Sequence, residues 1–260
     1  MTVTTITYEQ IESWIGSAFF PFLRIGACLM AAPLFSASYV PPRIRIVLAI
    51  ILTLIILPML PRTEGLTVLS GDGVVTTVQQ VLIGAALGFV VQMIFEAINF
   101  GGQMIANGMG LGLAFNIDPT LGTETPALGQ LYTMLGSLTF LALDGHLALI
   151  DTLLTSFRGL PIGPTGLSSD SLHALSAWGN QLFAGALRVA LPGITAMMVI
   201  NLAFGAISRA APSLNMFAVG FPITMIFGLL VVFFGLSSLQ SGFTEMMRST
   251  FEFLQSLISA

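Results

Sequence analysis

Lysine is absent from this 260-residue sequence, and charge of either sign is scarce. Only 8% of the residues are charged against 55% apolar, whereas a water-facing globular domain carries roughly a quarter charged residues. Such a chain cannot cover a solvated surface. Its basic charge rests on arginines scattered along the sequence, which excludes the clustered cations that displace counterions from nucleic acid. Without lysine, no Walker loop can be built. Cys28 is the only cysteine, so no intrachain disulfide or thiolate metal cluster is possible, and it reads as a small apolar residue in a packed segment. Neither histidine belongs to a zinc motif such as His-Glu-x-x-His. No metal or cofactor is expected. Met1–Gln10 lacks the basic n-region of a secretory signal, and Thr7 with Gln10 reads as a helix capping box.

What is present is apolar sequence in six stretches: Trp14–Phe35, Ile46–Leu60, Val74–Phe100, Leu128–Phe157, Trp178–Ile207 and Leu214–Leu239. A helix needs about 20 apolar residues to cross a bilayer. Trp14–Phe35 meets that narrowly, Ile46–Leu60 falls short, and the other four meet it comfortably. The expected fold is an all-α membrane protein of about six long, kinked helices arranged as helical hairpins. Pro21, Pro33, Pro58, Pro192 and Pro222 fall within or at the ends of these stretches, and each kinks or stops a helix. The carbonyls they free must be satisfied by neighbouring protein. Simple alternation would place Arg43, Arg45 and Arg209 on one side and Arg62, Arg158 and Arg248 on the other. That tie gives no orientation, and it speaks against a plain six-span bundle.

Arg24, Glu96, Asp144, His146, Asp151 and Arg188 stand inside apolar runs. Ionisable groups at membrane depth face a protein interior or a water path. They read either as a proton or ion relay, or as charges that pair and so fix an assembly; the cost of an unpaired buried charge favours the second reading. Asp144 and Asp151, seven apart, share a face if both lie on one helix. Two turns of rise, roughly 10 Å, is not the cross-helix meeting that aspartyl protease chemistry requires. Gly84 and Gly88 form a Gly-x-x-x-Gly of the kind that lets membrane helices approach closely, a spacing that apolar segments also show by chance.

Gly101–Asn116 reads GGQMIANGMGLGLAFN. It is too apolar for a solvated loop and too rich in glycine for a stable helix, and it closes at the turn signal Asp118-Pro119. Such a loop belongs inside protein, in a pore or cavity, or as a re-entrant or packed connection.

Four stretches, in order, carry a family resemblance: Pro33–Ile50 (PLFSASYVPPRIRIVLAI), Gly102–Pro119 (GQMIANGMGLGLAFNIDP), Gly145–Gly163, opening on Gly-His and ending in LPIG, and Arg188–Pro222 (RVALPGITAMMVINLAFGAISRAAPSLNMFAVGFP). Together they closely resemble the FliR family of flagellar export proteins. The resemblance implies a non-enzymatic structural and gating subunit of the type III export gate, in the bacterial inner membrane at the flagellar basal body. One copy would join FliP and FliQ around the protein-conducting pore, with FlhB and FlhA associated. Exported flagellar proteins would pass as transient substrates, and membrane lipids would surround the assembly. It further implies a FliP-like portion over 1–165 and a FliQ-like final hairpin over 166–260, with helices displaced toward the periplasmic side. The plug of the closed pore would be the stretch Ala106–Gly122, with Gly108, Met109, Gly110, Leu111, Gly112, Leu113, Phe115 and Asp118 as its members. Arg24, Glu96 and Arg188 are expected to serve assembly. The alternative is a stand-alone secondary transporter with broken helices flanking a midplane site; no internal repeat supports it.

Overall fold

The structure is a computed structural model that describes residues 8–37, 40–60, 67–111, 127–210 and 216–259, side chains at 8–15 and 216–219 excepted. Among these residues every regular element is helical. In order they are α1 (Tyr8–Ala31), α2 (Pro42–Ile56) with a 3-10 turn at Leu57–Met59, α3 (Gly71–Gly108), α4 (Ala127–Ala142), α5 (Gly145–Gly159), α6 (Ser169–Trp178), α7 (Asn180–Ala210) and α8 (Met216–Ser259). This is an all-α membrane protein. Among the described residues, four helical runs are long and apolar enough to cross a membrane, Pro42–Met59, Gly71–Gly108, Ser169–Ala210 and Gly220–Ser259, or up to five if the bent pair α4–α5 is one span.

Local chemistry sets the helix boundaries. The Ser70 hydroxyl accepts from the Gly73 amide at 3.0 Å and caps α3, and Ser168 does the same for Ser171 at the start of α6; both supply an acceptor to an orphan amide of the first turn. Pro42 opens α2, where a missing N–H costs nothing. Pro33 follows the end of α1 and Pro58 sits in the 3-10 turn, whereas Pro21, Pro192 and Pro222 lie inside α1, α7 and α8.

Three expectations need correction. The second apolar stretch is longer than its apolar core, because the helix and its 3-10 turn take in Pro42–Arg45 and reach 18 residues. The helix of Trp14–Phe35 starts and stops earlier than the apolar stretch: α1 runs over Tyr8–Ala31, 24 residues, and ends before Pro33. Leu128–Phe157 is not one continuous helix: it breaks at Leu143–Asp144, where Asp144 takes the left-handed conformation (φ 55°, ψ 27°). Aspartate tolerates that region better than most residues. Asp144 therefore precedes α5 and does not share a helix face with Asp151; both are exposed.

The chain folds into two compact units built from interleaved segments, Met1–Gln92 with Asp144–Trp178 and Ser249–Ala260, and Met93–Leu143 with Gly179–Arg248. Helices α3 and α8 each contribute one end to each unit. In the first unit, α1 lies against the first half of α3, running parallel to it. The glycine pair at 84 and 88 makes that approach possible. A Cβ at Gly84 would strike the Arg24 carbonyl, and one at Gly88 would sit 2.5 Å from the Cys28 carbonyl oxygen and 2.8 Å from the Ala32 amide. Both obstacles are backbone and cannot rotate away. Gly88→Val is accordingly expected to cost about 1–3 kcal/mol, as overpacking of a tight core does, and to lower the thermal midpoint of the purified protein in detergent. Gly26→Ala is its control, because a Cβ there meets nothing within 4 Å. Equal midpoints for the two variants would contradict this packing. Trp178 and Phe253 stack in the same unit, 4.1 Å between centroids.

In the second unit, the C-terminal half of α3 is flanked by α7 running parallel to it and by α4 and α8 running antiparallel. Phe95 meets Phe140 and Phe243 edge-on, at 5.4 and 5.6 Å. Close approach again depends on glycine. A Cβ at Gly102 would lie 2.9 Å from the Gly129 Cα, and one at Gly101 would lie 3.0 Å from the Ala186 carbonyl oxygen.

Candidate functional site

The glycine-rich stretch from Gly101 does not begin as a loop. It continues α3 through Gly108, because its glycines are spent on letting α4 and α7 come close, and the packing gained outweighs their poor helix propensity. The helix ends in a Schellman turn. Gly110 has φ 82°, its amide donates to the Asn107 carbonyl at 3.0 Å, and the Leu111 amide donates to the Ala106 carbonyl at 3.1 Å. Glycine supplies the left-handed residue that this turn needs at no steric cost.

Side chains from α7 and α8 complete the end of the helix. The Asn201 amide donates to the Gly108 carbonyl at 3.1 Å, and the Thr224 hydroxyl lies 3.4 Å from the Met109 carbonyl. Met109 is 2% exposed and fills the space left by Gly228, where a Cβ would collide with its side chain. Ile105 sits against Gly193 in the same way, and Gly108 faces Met197. Of the stretch expected to act as a plug, Gly108, Met109, Gly110 and Leu111 thus form a fixed helix terminus. Gly112, Leu113, Phe115 and Asp118 lie outside the described residues.

Of the three positions expected to serve assembly, Arg24 differs from Glu96 and Arg188. Arg24 is fully buried and is satisfied within its own unit. Its Nε donates to Gln80 Oε1 at 2.8 Å, its Nη1 to the Ser156 carbonyl at 2.9 Å and the Ser156 hydroxyl at 3.2 Å, and its Nη2 to the Leu160 carbonyl at 2.8 Å. The guanidinium also lies 4.3 Å from the centre of the Phe157 ring. None of these partners is a carboxylate. The planar fork of arginine holds several neutral acceptors at once, and here it ties α1 to α3 and to the end of α5. Glu96 and Arg188 are exposed. His146 is half-buried, with its Nδ1 enclosed and unpartnered among the described residues.

Sequence reasoning missed Gln80, Ser156, Asn201 and Thr224. All four are polar residues inside apolar helices, and polarity there was the available signal. Gly193, Met197 and Asn201 also recur every four residues, one stripe of α7.

Residues 15–250 match the model of the bacterial export proteins, family 1. The chain belongs to the FliR family of bacterial export proteins. It is 40% identical over 224 residues to the flagellar biosynthetic protein FliR of Escherichia coli (strain K12), covering 86% of this chain and 85% of the relative. The flagellar biosynthetic protein FliR of Pectobacterium carotovorum is 38% identical over 228 residues, 88% and 87% of the two chains. That of Bacillus subtilis (strain 168) is 27% identical over 205 residues, 78% and 79%. As a FliR-family chain with these apolar helices, it is a membrane component of the flagellar export apparatus.

Proposed function

We propose that the chain is a structural and gating subunit of the flagellar export gate, helping FliP and FliQ to form the protein-conducting pore and plugging it with Ala106–Gly122. One copy joins each gate, FlhB and FlhA associate with it, and exported flagellar proteins pass through as transient substrates. The observation that carries this reading is the anchored end of α3. An apolar, glycine-bearing segment follows directly from a helix terminus held by two other helices, which suits a seal that needs a fixed root.

The subunit works as scaffold and seal, without catalytic chemistry. Residues 1–165 form a FliP-like portion, and 166–260 form a FliQ-like portion whose hairpin is α7 and α8. Arg24 serves assembly through the fold of its own unit, and the exposed Glu96 and Arg188 serve it toward neighbouring subunits. Helices α3 and α8, 38 and 44 residues long, extend ~57 and ~66 Å at the usual rise. The hydrocarbon core is about 30 Å thick, so part of each helix extends beyond it; the gate sits in the inner membrane, displaced toward the periplasm. A stand-alone transporter would need converging polar groups around its solute. Among the described residues, the cavity of about 520 Å³ between α3, α4, α7 and α8 offers only Tyr132 and Ser238 among apolar walls.

Purification from cells in mild detergent tests the proposal. A tagged chain is expected to bring down FliP and FliQ in a ring holding a single copy of it. A chain that purifies alone and binds a small solute would overturn the reading in favour of a transporter.

A further inference from the structure

The carbonyls at the end of α3 can be counted one by one. A helix end leaves its last carbonyls without partners inside the helix, and in a membrane a carbonyl left unpaired is costly. Ile105 accepts from the Met109 amide at 3.0 Å, Ala106 from Leu111 and Asn107 from Gly110. Among the described residues, no further backbone amide of the turn reaches a carbonyl. The next two carbonyls, Gly108 and Met109, are the ones met by Asn201 and Thr224. Asn201 stands in the apolar run MMVINLAF, where an amide side chain is expensive unless it has a use. Thr224 divides its hydroxyl between the Met109 carbonyl and the Phe221 carbonyl of its own helix, the latter at 3.0 Å, so Asn201 makes the stronger tie.

We propose that Asn201 and Thr224 are positioning residues that latch the terminal turn of α3, with Gly228 seating Met109 between them. This inference rests on the plug reading for its role in gating, though the latch itself involves only residues 105–111, α7 and α8. Its function is to hold the turn at 105–111 in one direction against α7 and α8.

Hydrogen exchange on the purified gate complex tests the latch. In the double variant Asn201→Ala, Thr224→Val, the Gly110 and Leu111 amides are expected to exchange about tenfold faster, as the loss of local hydrogen bonds allows. Amides near Arg24 should keep the wild-type rate, which a general loss of fold would not permit. Thr224→Ser, which retains the hydroxyl, should match wild type. Ion conductance measured on the same variant separates the two readings. Faster exchange with a leak is the expected result. Faster exchange without a leak leaves the latch in place and removes the plug. Unchanged exchange at Gly110 and Leu111 overturns the latch whatever the conductance.

Discussion

A gate whose chain lacks Gly112–Asn116 is expected to assemble and to leak ions and small solutes in cells expressing the whole apparatus. The deletion is placed to begin beyond the Schellman turn. Met109, Gly110 and Leu111 belong to a packed helix terminus, and a cut reaching back to Gly108 would expose the Gly228 seat and confuse a folding defect with a broken seal. The segment removed contributes Leu113 and Phe115, and apolar bulk at a constriction blocks water and ions by dewetting without any charged filter. Phe115→Ala alone should leak less than the deletion, since Leu113 and the glycine backbone remain. Conductance across the cell membrane, or sensitivity to a normally excluded solute, is the measurement. A deletion that assembles and conducts no more than wild type would place the seal in another subunit.

Arg24→Leu is expected to abolish assembly by unfolding the first unit. The substitution leaves Gln80 Oε1 and the Ser156 carbonyl buried, and the Leu160 carbonyl partly buried, without their donor. Each neutral acceptor left buried without a donor costs about 1–3 kcal/mol, and losing the shared donor of several is a large share of the roughly 5–15 kcal/mol by which domains are stable. The complex should disappear from native gels, and the chain itself should become sensitive to protease. Arg24→Lys should be intermediate at best, because a single ammonium cannot reach acceptors on two helices in the geometry of the guanidinium fork. Wild-type assembly of Arg24→Leu with loss of export would favour a relay role for this residue instead.

Much of the helical architecture was legible because lipid leaves the backbone no alternative to internal pairing. Apolar run length located the spans of α3, α7 and α8 and missed that of α2, and proline marked where α1 and α2 stop. Glycine was the ambiguous residue. The same absence of a Cβ that permits a turn at Gly110 permits a helix crossing at Gly101 and Gly102, and only the neighbour decides between them. Those neighbours, Gly129 and Ala186, are distant in sequence. The partners of Arg24 were hidden for a related reason. They stand 56 to 136 positions away, and they are neutral, so no charge pattern could point to them. The break at Asp144 left a fainter trace, an aspartate before glycine in the middle of an apolar run.

The outer faces of the long helices bear on how the cell controls the amount of this chain. Val199, Leu202, Phe233 and Phe234 are each 65–74% exposed on the isolated subunit, and part of a ~57 or ~66 Å helix extends beyond what about 30 Å of hydrocarbon can shelter. Produced in excess of whatever covers those faces, the surplus would be cleared by membrane proteolysis. Its steady-state abundance would then follow the supply of cover and be insensitive to its own rate of synthesis.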